Sequence, residues 1–110
     1  MKQVTIICIP RALGSTVTIP LEMLSAANDI AKAQKQRDKL IGIELVGIDN
    51  ETVELSGGLT MKCAKILKNA ANSNLIFIPG VWGNPRASVA KHHQLQNWIK
   101  DQYRTGATLC

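Results

Sequence analysis

Aromatic residues are scarce in this chain: two tryptophans, one tyrosine and one phenylalanine among 110 positions. A nucleic-acid surface wants basic side chains interleaved with aromatics or gathered on a recognition helix, and neither pattern is present. Cysteine is equally sparse. Cys8, Cys63 and Cys110 are odd in number and widely spaced. No CxxC or Cys/His ligand pattern occurs, so neither a disulfide framework nor a zinc site is indicated. Each cysteine lies in or beside an apolar segment and reads as a small buried hydrophobe in a reducing compartment. No apolar run approaches the roughly 18 residues that a membrane span requires. The first short apolar run ends at Pro10-Arg11 without a small-residue cleavage site, which argues against a signal peptide. The expectation is a cytoplasmic protein without membrane contact. GxSxG, HExxH, P-loop and GxGxxG motifs are all missing, as are repeats, low-complexity tracts and linkers.

What the sequence does contain is a net charge of +5, with its densest cluster in "KAQKQRDK", residues 32–39. That stretch falls where a helix should end, and cations there favour the helix dipole. It reads as a solvated helix end rather than a DNA contact.

The apolar pattern alternates between strand and helix. "QVTIICIP" (3–10) is β-branched and almost wholly apolar, as in a strand buried on both faces, and residues 11–18 read as a loop. A helix is expected over 19–36, with Met23, Leu24, Ala27, Ile30 and Ala31 as its apolar stripe, Pro20 in its first turn and Thr18 as its cap. Strands are expected at 40–49 and 51–55, joined through Asp49-Asn50 as a hairpin or a bulged strand. A glycine-opened connection (56–63), a short helix (64–71) and a buried strand (74–79) follow. The second long helix spans 87–104, with Leu95, Trp98, Ile99 and Gln102 on one side and Gly106 in the left-handed cap position. A buried strand begins at 107. This order belongs to the α/β class, with a mostly parallel sheet covered on both faces. A parallel strand ending at Cys110 calls for a covering helix after it, so residues 1–110 read as one incomplete domain.

In open α/β sheets ligands bind beyond the carboxyl ends of the strands. The loops leaving that edge, 11–18 and 79–85, make Thr16, Glu22, Gly80, Val81, Trp82, Gly83 and Asn84 the candidate ligand-binding residues. Free N–H groups from Gly80 to Gly83 would suit an oxyanion or a carboxylate. Glu22 is the one acid near the edge, and it either reaches the pocket or faces solvent. Trp82 is either a lid over the pocket or an anchor against another subunit. His92 and His93, adjacent on a helix, point about 100° apart and do not chelate one metal well. No metal or cofactor is expected.

"IPLEMLSAAND" (19–29), "SGGLTMKC" (56–63), "NLIFIPG" (74–80) and "LQNWIKDQYRTGATLC" (95–110) occur in the order found in the PfpI/ThiJ-like domain. More narrowly, the chain resembles the N-terminal sensory domain of GlxA-type AraC-family transcriptional regulators. Their Glu-Pro-Leu-x-x-Ala-Asn stretch is matched by Glu22 to Asn28, their Ser-x-Gly-Leu turn by Ser56 to Leu59, and their strand into Pro-Gly by Ile78-Pro79-Gly80. The resemblance implies a three-layer flavodoxin-like (class I glutamine amidotransferase-like) fold. It also implies effector sensing, a homodimer, and DNA binding through a region beyond this chain. Enzymes of the PfpI type carry an acid on the loop before the first helix, at a place held here by Thr16, and a cysteine on a turn past Cys110. A second glycine often follows their Pro-Gly, where this chain has Val81. A hydroxyl cannot do the work of a carboxyl that orients or protonates a cysteine. The reading is a non-catalytic domain that senses a small effector. The alternative is a fragment of a PfpI-like hydrolase or hydratase.

Overall fold

A computed structural model describes residues 2–81 and 92–110 of the chain. Strand β1 (Lys2–Cys8) leads into helix α1 (Gly14–Ala33), a short 3-10 turn and strand β2 (Ile41–Gly47). A two-stranded hairpin follows, β3 (Thr52–Glu54) and β4 (Thr60–Lys62), and then the short strand β5 (Lys65–Ile66). Next come β6 (Leu75–Phe77), helix α2 (His93–Arg104) and β7 (Thr108–Leu109). The main sheet has the order β5-β2-β1-β6-β7, and every neighbouring pair in it is parallel.

The strand order places the helices. The chain moves from β1 outward to β2 and β5, then returns to β6 on the other side of β1. Right-handed crossovers in opposite directions put α1 and α2 on opposite faces of the sheet. Side-chain alternation agrees. Val4, Ile6 and Cys8 share a face with Ile43 and Leu45, the face on which α1 lies. Thr5 points the other way, where its hydroxyl meets Ser73 Oγ, and Ser73 N–H donates to Gln102 Oε1 of α2 at 3.0 Å. With both faces covered, β1 is buried from Val4 through Cys8. Thus the α/β class, the parallel sheet and the layering match the expectation.

Several local expectations need correction. Helix α1 begins at Gly14, not at residue 19, and Leu13, not Thr18, is its cap. Pro20 therefore sits at the helix's seventh position, where it has no N–H to give the Thr16 carbonyl. The helix extends backwards because Leu13 is fixed at its start: Leu13 N–H bonds the Gly80 carbonyl at 2.8 Å. The row of α1 that faces the sheet is buried at Val17 and Ala31 and half-buried at Leu21, Leu24 and Asn28, while Met23 and Ile30 are 68% and 58% exposed and Ala27 is exposed with them. What rotates the helix is Asn28. Its side-chain amide bonds both the N–H and the carbonyl of Ile41, each at 2.8 Å, and so turns that row onto the sheet.

The expected 64–71 helix is instead β5 and a 3-10 turn at Leu67–Asn69. Lys65 and Ile66 complete the sheet edge against Val46 and Gly47, and Asn69 Oδ1 accepts the Ile66 N–H at 3.0 Å. Residues 51–55 pair with β4, not with β2. The second long helix is described from His93 onward, with His92 as its cap, and residues 87–91 lie outside the described region. Its buried side carries Leu95 and Gln102, as read from the sequence, with Trp98 and Ile99 half-buried between them. Gly106 has a φ of 101° and closes the helix in a Schellman motif: Ala107 N–H bonds the Gln102 carbonyl, and Gly106 N–H that of Tyr103. The basic side chains Lys32, Lys35, Arg37 and Lys39 are exposed around the end of α1. Among the described residues β7 pairs with β6 alone, and within these residues Thr108, Leu109 and Cys110 are exposed, where a buried strand and a buried cysteine were expected.

Candidate functional site

The strand order reverses between β2-β1 and β1-β6, which makes the carboxyl edge between β1 and β6 the switch point where such sheets bind ligands. The loops after these two strands meet there. Leu13 N–H bonds the Gly80 carbonyl at 2.8 Å, and Ala12 and Val81 form an isolated antiparallel bridge. Thr16, in the first turn of α1, accepts the Gly80 N–H on Oγ1 at 3.1 Å and donates its hydroxyl to the Leu13 carbonyl at 2.6 Å. The contact is close: a Cβ on Gly80 would stand 3.3 Å from Thr16 Cγ2.

Thr16, Gly80 and Val81 are therefore brought together, but the chemistry differs from the expectation. The Gly80 N–H is not free for an oxyanion, because Thr16 takes it. Glu22 stands apart. It is exposed, six positions along α1 and about 120° around the axis from Thr16, which decides for the solvent-facing alternative. Trp82, Gly83 and Asn84 lie outside the described residues.

The structure adds a third loop that the sequence reading left out of the site. The β3–β4 hairpin docks on residues 11 and 12: Arg11 N–H bonds the Glu54 carbonyl, and Ser56 N–H the Ala12 carbonyl, both at 2.8 Å. Between hairpin and strand end lies an open cleft of ≈ 460 Å³ lined by Pro10, Arg11, Glu54, Leu55, Ser56, Gly57 and Gly58. Arg11 is held there at φ 68°, a left-handed conformation uncommon for a residue with a Cβ. Gly57 and Gly58 have φ values of 77° and 82°, which is why the turn takes two glycines. Arg11 and Glu54 bring opposite charges to one small opening. The signals in the sequence were "SGG" and a single arginine directly after the strand-ending proline. Neither is specific without the hairpin that joins them.

Two further functional groups lie behind this edge. Cys8 and Cys63 are free thiols, both buried. A hydrogen bond with Cys63, reinforced by burial, pushes the Cys8 thiol far above its usual range. The same hydrogen bond favours the Cys63 thiolate and lowers its pKa against the opposing effects of burial and of Glu51. Among the described residues no three His, Cys, Asp or Glu side chains converge on a common metal position. Among them, too, no helix is long and apolar enough to cross a membrane.

No protein-family model matches the sequence, and neither does any curated protein. Solved structures do match. A putative transcriptional regulator protein from Vibrio parahaemolyticus is 19% identical, with a TM-score of 0.77 over 98% of this chain and 54% of its own. An AraC family transcriptional regulator from Pseudomonas putida is 18% identical, with a TM-score of 0.75 over 99% of this chain and 62% of its own. DJ-1beta from Drosophila melanogaster is 17% identical, with a TM-score of 0.75 over 98% of this chain and 53% of its own. The chain spans between half and two thirds of the length of these proteins, and it has the α/β fold that the DJ-1/ThiJ/PfpI proteins and these regulators share.

Proposed function

We propose that this chain is the effector-sensing and self-associating part of a cytoplasmic AraC-family transcriptional regulator, with the DNA-binding units in a region outside these residues. The observation that carries the reading is Thr16. It stands where the resemblance to PfpI-type enzymes places an acid, and its hydroxyl is committed to backbone on both sides, to Gly80 N–H and to the Leu13 carbonyl. A group so engaged holds two loops together and has no proton to exchange with a substrate. The fold shared with two regulators supports the same reading.

The effector would occupy the cleft between the β3–β4 hairpin and the end of β1. Arg11 presents a guanidinium suited to a carboxylate, Glu54 lines the same opening, and the pair suits a small ligand carrying both charges, such as an amino acid or its amide. Binding would draw the hairpin and residues 10–12 together. Such an effect reaches DNA only if the two arrangements of the regulator differ in affinity for the ligand. For self-association, α1 offers the exposed row Ile19, Met23 and Ile30, the sort of apolar surface that marks an interface.

Calorimetry on the full-length regulator with a panel of amino acids and their amides tests the sensing role. Arg11→Ala should weaken binding at least tenfold, about 1.4 kcal/mol, with Glu22→Ala unchanged. Equal affinity in wild type and Arg11→Ala overturns the assignment of the cleft. Turnover of any panel member by the wild-type protein overturns the non-catalytic reading. Sedimentation of Met23→Glu should show a shift toward monomer, and an undisturbed dimer removes α1 from the interface.

A further inference from the structure

Strand β2 is left open along part of its outer edge, a feature the effector reading does not use. Successive residues of a strand turn their backbone N–H and C=O groups to opposite edges. The outward set of β2 is fixed at both ends of the gap. The N–H and carbonyl of Ile41 both bond the Asn28 side chain, each at 2.8 Å. The Leu45 carbonyl accepts the Ala64 N–H at 3.0 Å. Ile43, midway between them, therefore turns both its backbone groups outward as well, away from β1. Strand β5 reaches only Val46 and Gly47. Among the described residues nothing bonds the Ile43 N–H, the Ile43 carbonyl or the Leu45 N–H on this edge.

A groove lies beside this gap. It is open, has a volume of ≈ 470 Å³, and is lined by Leu21 and Ser25 of α1, by Ile43 and Leu45, and by Lys62. Its one uncompensated charge is that of Lys62. Lys65 is paired with Glu44 at 3.2 Å, whereas Lys62 has no ion pair among the described residues. The dimensions of the gap limit what can enter. Ile41 and Leu45 span about 13 Å of strand, with Asn28 closing one end and Ala64 the other. A second sheet with its own helices needs a long, flat edge. An edge this short blocks that association and admits a single extended chain. Residues 82–91 contain no Asp or Glu and offer Lys62 no counter-charge, which points to a second molecule.

We propose that the open edge of β2 takes up a short extended segment of a partner protein, with a branched apolar residue and an acidic residue two positions from it. Strand addition of this kind draws affinity from backbone hydrogen bonds and specificity from pockets for alternate side chains. The edge offers two donors, Ile43 N–H and Leu45 N–H, to carbonyls of the segment, and one acceptor, the Ile43 carbonyl, to an N–H of the segment. The apolar side chain packs on Leu21, Ile43 and Leu45, on the face that carries α1. Residues two apart on a strand share a face, so the acid falls on the same side, that of Lys62. The groove shares no lining residue with the effector cleft, and the proposal does not depend on that cleft.

Hydrogen exchange and peptide titration on the full-length chain test this. In the free protein the Ile43 amide should exchange about tenfold faster or more than that of Glu44, which faces β1. The probe is an acetylated and amidated Asp-Thr-Val-Thr-Asp peptide, which places an acid two positions from valine in either chain direction. It should bind and slow the Ile43 and Leu45 amides. A strand added to an edge bonds through alternate residues. N-methylation of the valine, or of both threonines, should therefore weaken binding about tenfold or more in one case and leave it intact in the other. Lys62→Glu should weaken binding about fivefold or more, and Lys100→Glu, an equal change of charge on α2, should not. An Ile43 amide as protected as that of Glu44 in the free chain shows an edge already covered and overturns the proposal, with sedimentation showing whether a second copy covers it. Failure of the peptide to bind, equal effects of the two methylations, or equal losses in Lys62→Glu and Lys100→Glu overturn it as well.

Discussion

Thr16 and Gly80 are 64 positions apart in sequence, yet Thr16 Oγ1 receives the Gly80 N–H at 3.1 Å. The same hydroxyl donates to the Leu13 carbonyl at 2.6 Å, and Leu13 N–H bonds the Gly80 carbonyl. The start of α1 and the loop after β6 are thus tied by a closed set of three hydrogen bonds around one hydroxyl. Thr16→Val keeps the shape and removes both hydroxyl bonds, leaving the Gly80 N–H unpartnered in a part-buried position. The expected loss is about 1–3 kcal/mol, and Thr16→Ser should recover most of it. Urea denaturation of the three proteins measures this. An unchanged midpoint in Thr16→Val means that water replaces the hydroxyl without loss.

Asn28 carries more of the fold than its place on a half-exposed helix face suggests. Its side-chain amide satisfies both backbone groups of Ile41, the first residue of β2, and so fixes the height and the rotation of α1 against the sheet. Asn28→Ala leaves one donor and one acceptor at the strand's start without partners. Two lost hydrogen bonds correspond to about 1–3 kcal/mol. Asn28→Asp should be damaging too, because a carboxylate accepts the Ile41 N–H but has no N–H for the Ile41 carbonyl. Thermal unfolding of the two variants should rank both below the wild type, and an Asp variant as stable as wild type contradicts the two-bond account.

These two contacts show where the sequence was legible. The parallel sheet could be read because β1 is β-branched and almost wholly apolar from Val4 to Cys8, with Thr5 as its one polar position there, the mark of burial on both faces. Helix α2 could be read because Leu95, Trp98, Ile99 and Gln102 repeat at helical spacing and Gly106 closes the end. Helix α1 was misplaced because Pro20 looks like a first-turn residue, whereas the start is fixed by Leu13 and Gly80, a contact no local signal announces. Its stripe was misassigned for a related reason. Met23 and Ile30 are as apolar as Leu21 and Leu24, and the choice between two apolar faces is made by Asn28 reaching Ile41. Residues 64–71 were read as a helix because "AKILKNAA" has helical composition, but pairing of Lys65 and Ile66 with Val46 and Gly47 at the sheet edge wins over local propensity. In the candidate site the meeting of the 11–18 and 79–81 loops was legible from the sheet-edge rule. Arg11 and Ser56 were not, because the hairpin that assembles them brings Glu54 to Arg11 and Ser56 to Ala12, pairs far apart in sequence.

Lys35 ends α1 in a left-handed conformation with φ 57°. Gln36 N–H bonds the Ala31 carbonyl at 2.8 Å and Lys35 N–H the Lys32 carbonyl at 3.1 Å, the two bonds of a Schellman cap whose usual central residue is glycine. A side chain with a Cβ is disfavoured there by about 1 kcal/mol. Lys35 is exposed and has no ion pair among the described residues. Lys35→Gly should therefore stabilise the protein by about 0.5–1 kcal/mol, whereas Lys35→Ala should change it little. A melting temperature that falls on glycine substitution would show that this end of α1 is not capped in this way.

Gly47 closes β2 at a point where no side chain fits. A Cβ there would lie 2.1 Å from the backbone oxygen of Asn50 and 3.4 Å from Val53 Cγ2. The carbonyl belongs to the turn that carries the chain from β2 into the β3–β4 hairpin, and a backbone atom cannot rotate aside as a side-chain end can. Gly47→Ala must therefore move the turn, and the turn positions both the hairpin over Arg11 and Met61 against Cys8. Overpacking of this kind destabilises by about 1–3 kcal/mol. The diagnostic result is that the loss is not confined to stability. In Gly47→Ala the amides of Arg11 and Ser56, which bond the Glu54 and Ala12 carbonyls, should exchange hydrogen faster than the amides of α2 do at the same overall stability. Uniform acceleration across the chain would mean that the hairpin and the sheet open as one unit, and that strain at Gly47 is not passed to the cleft.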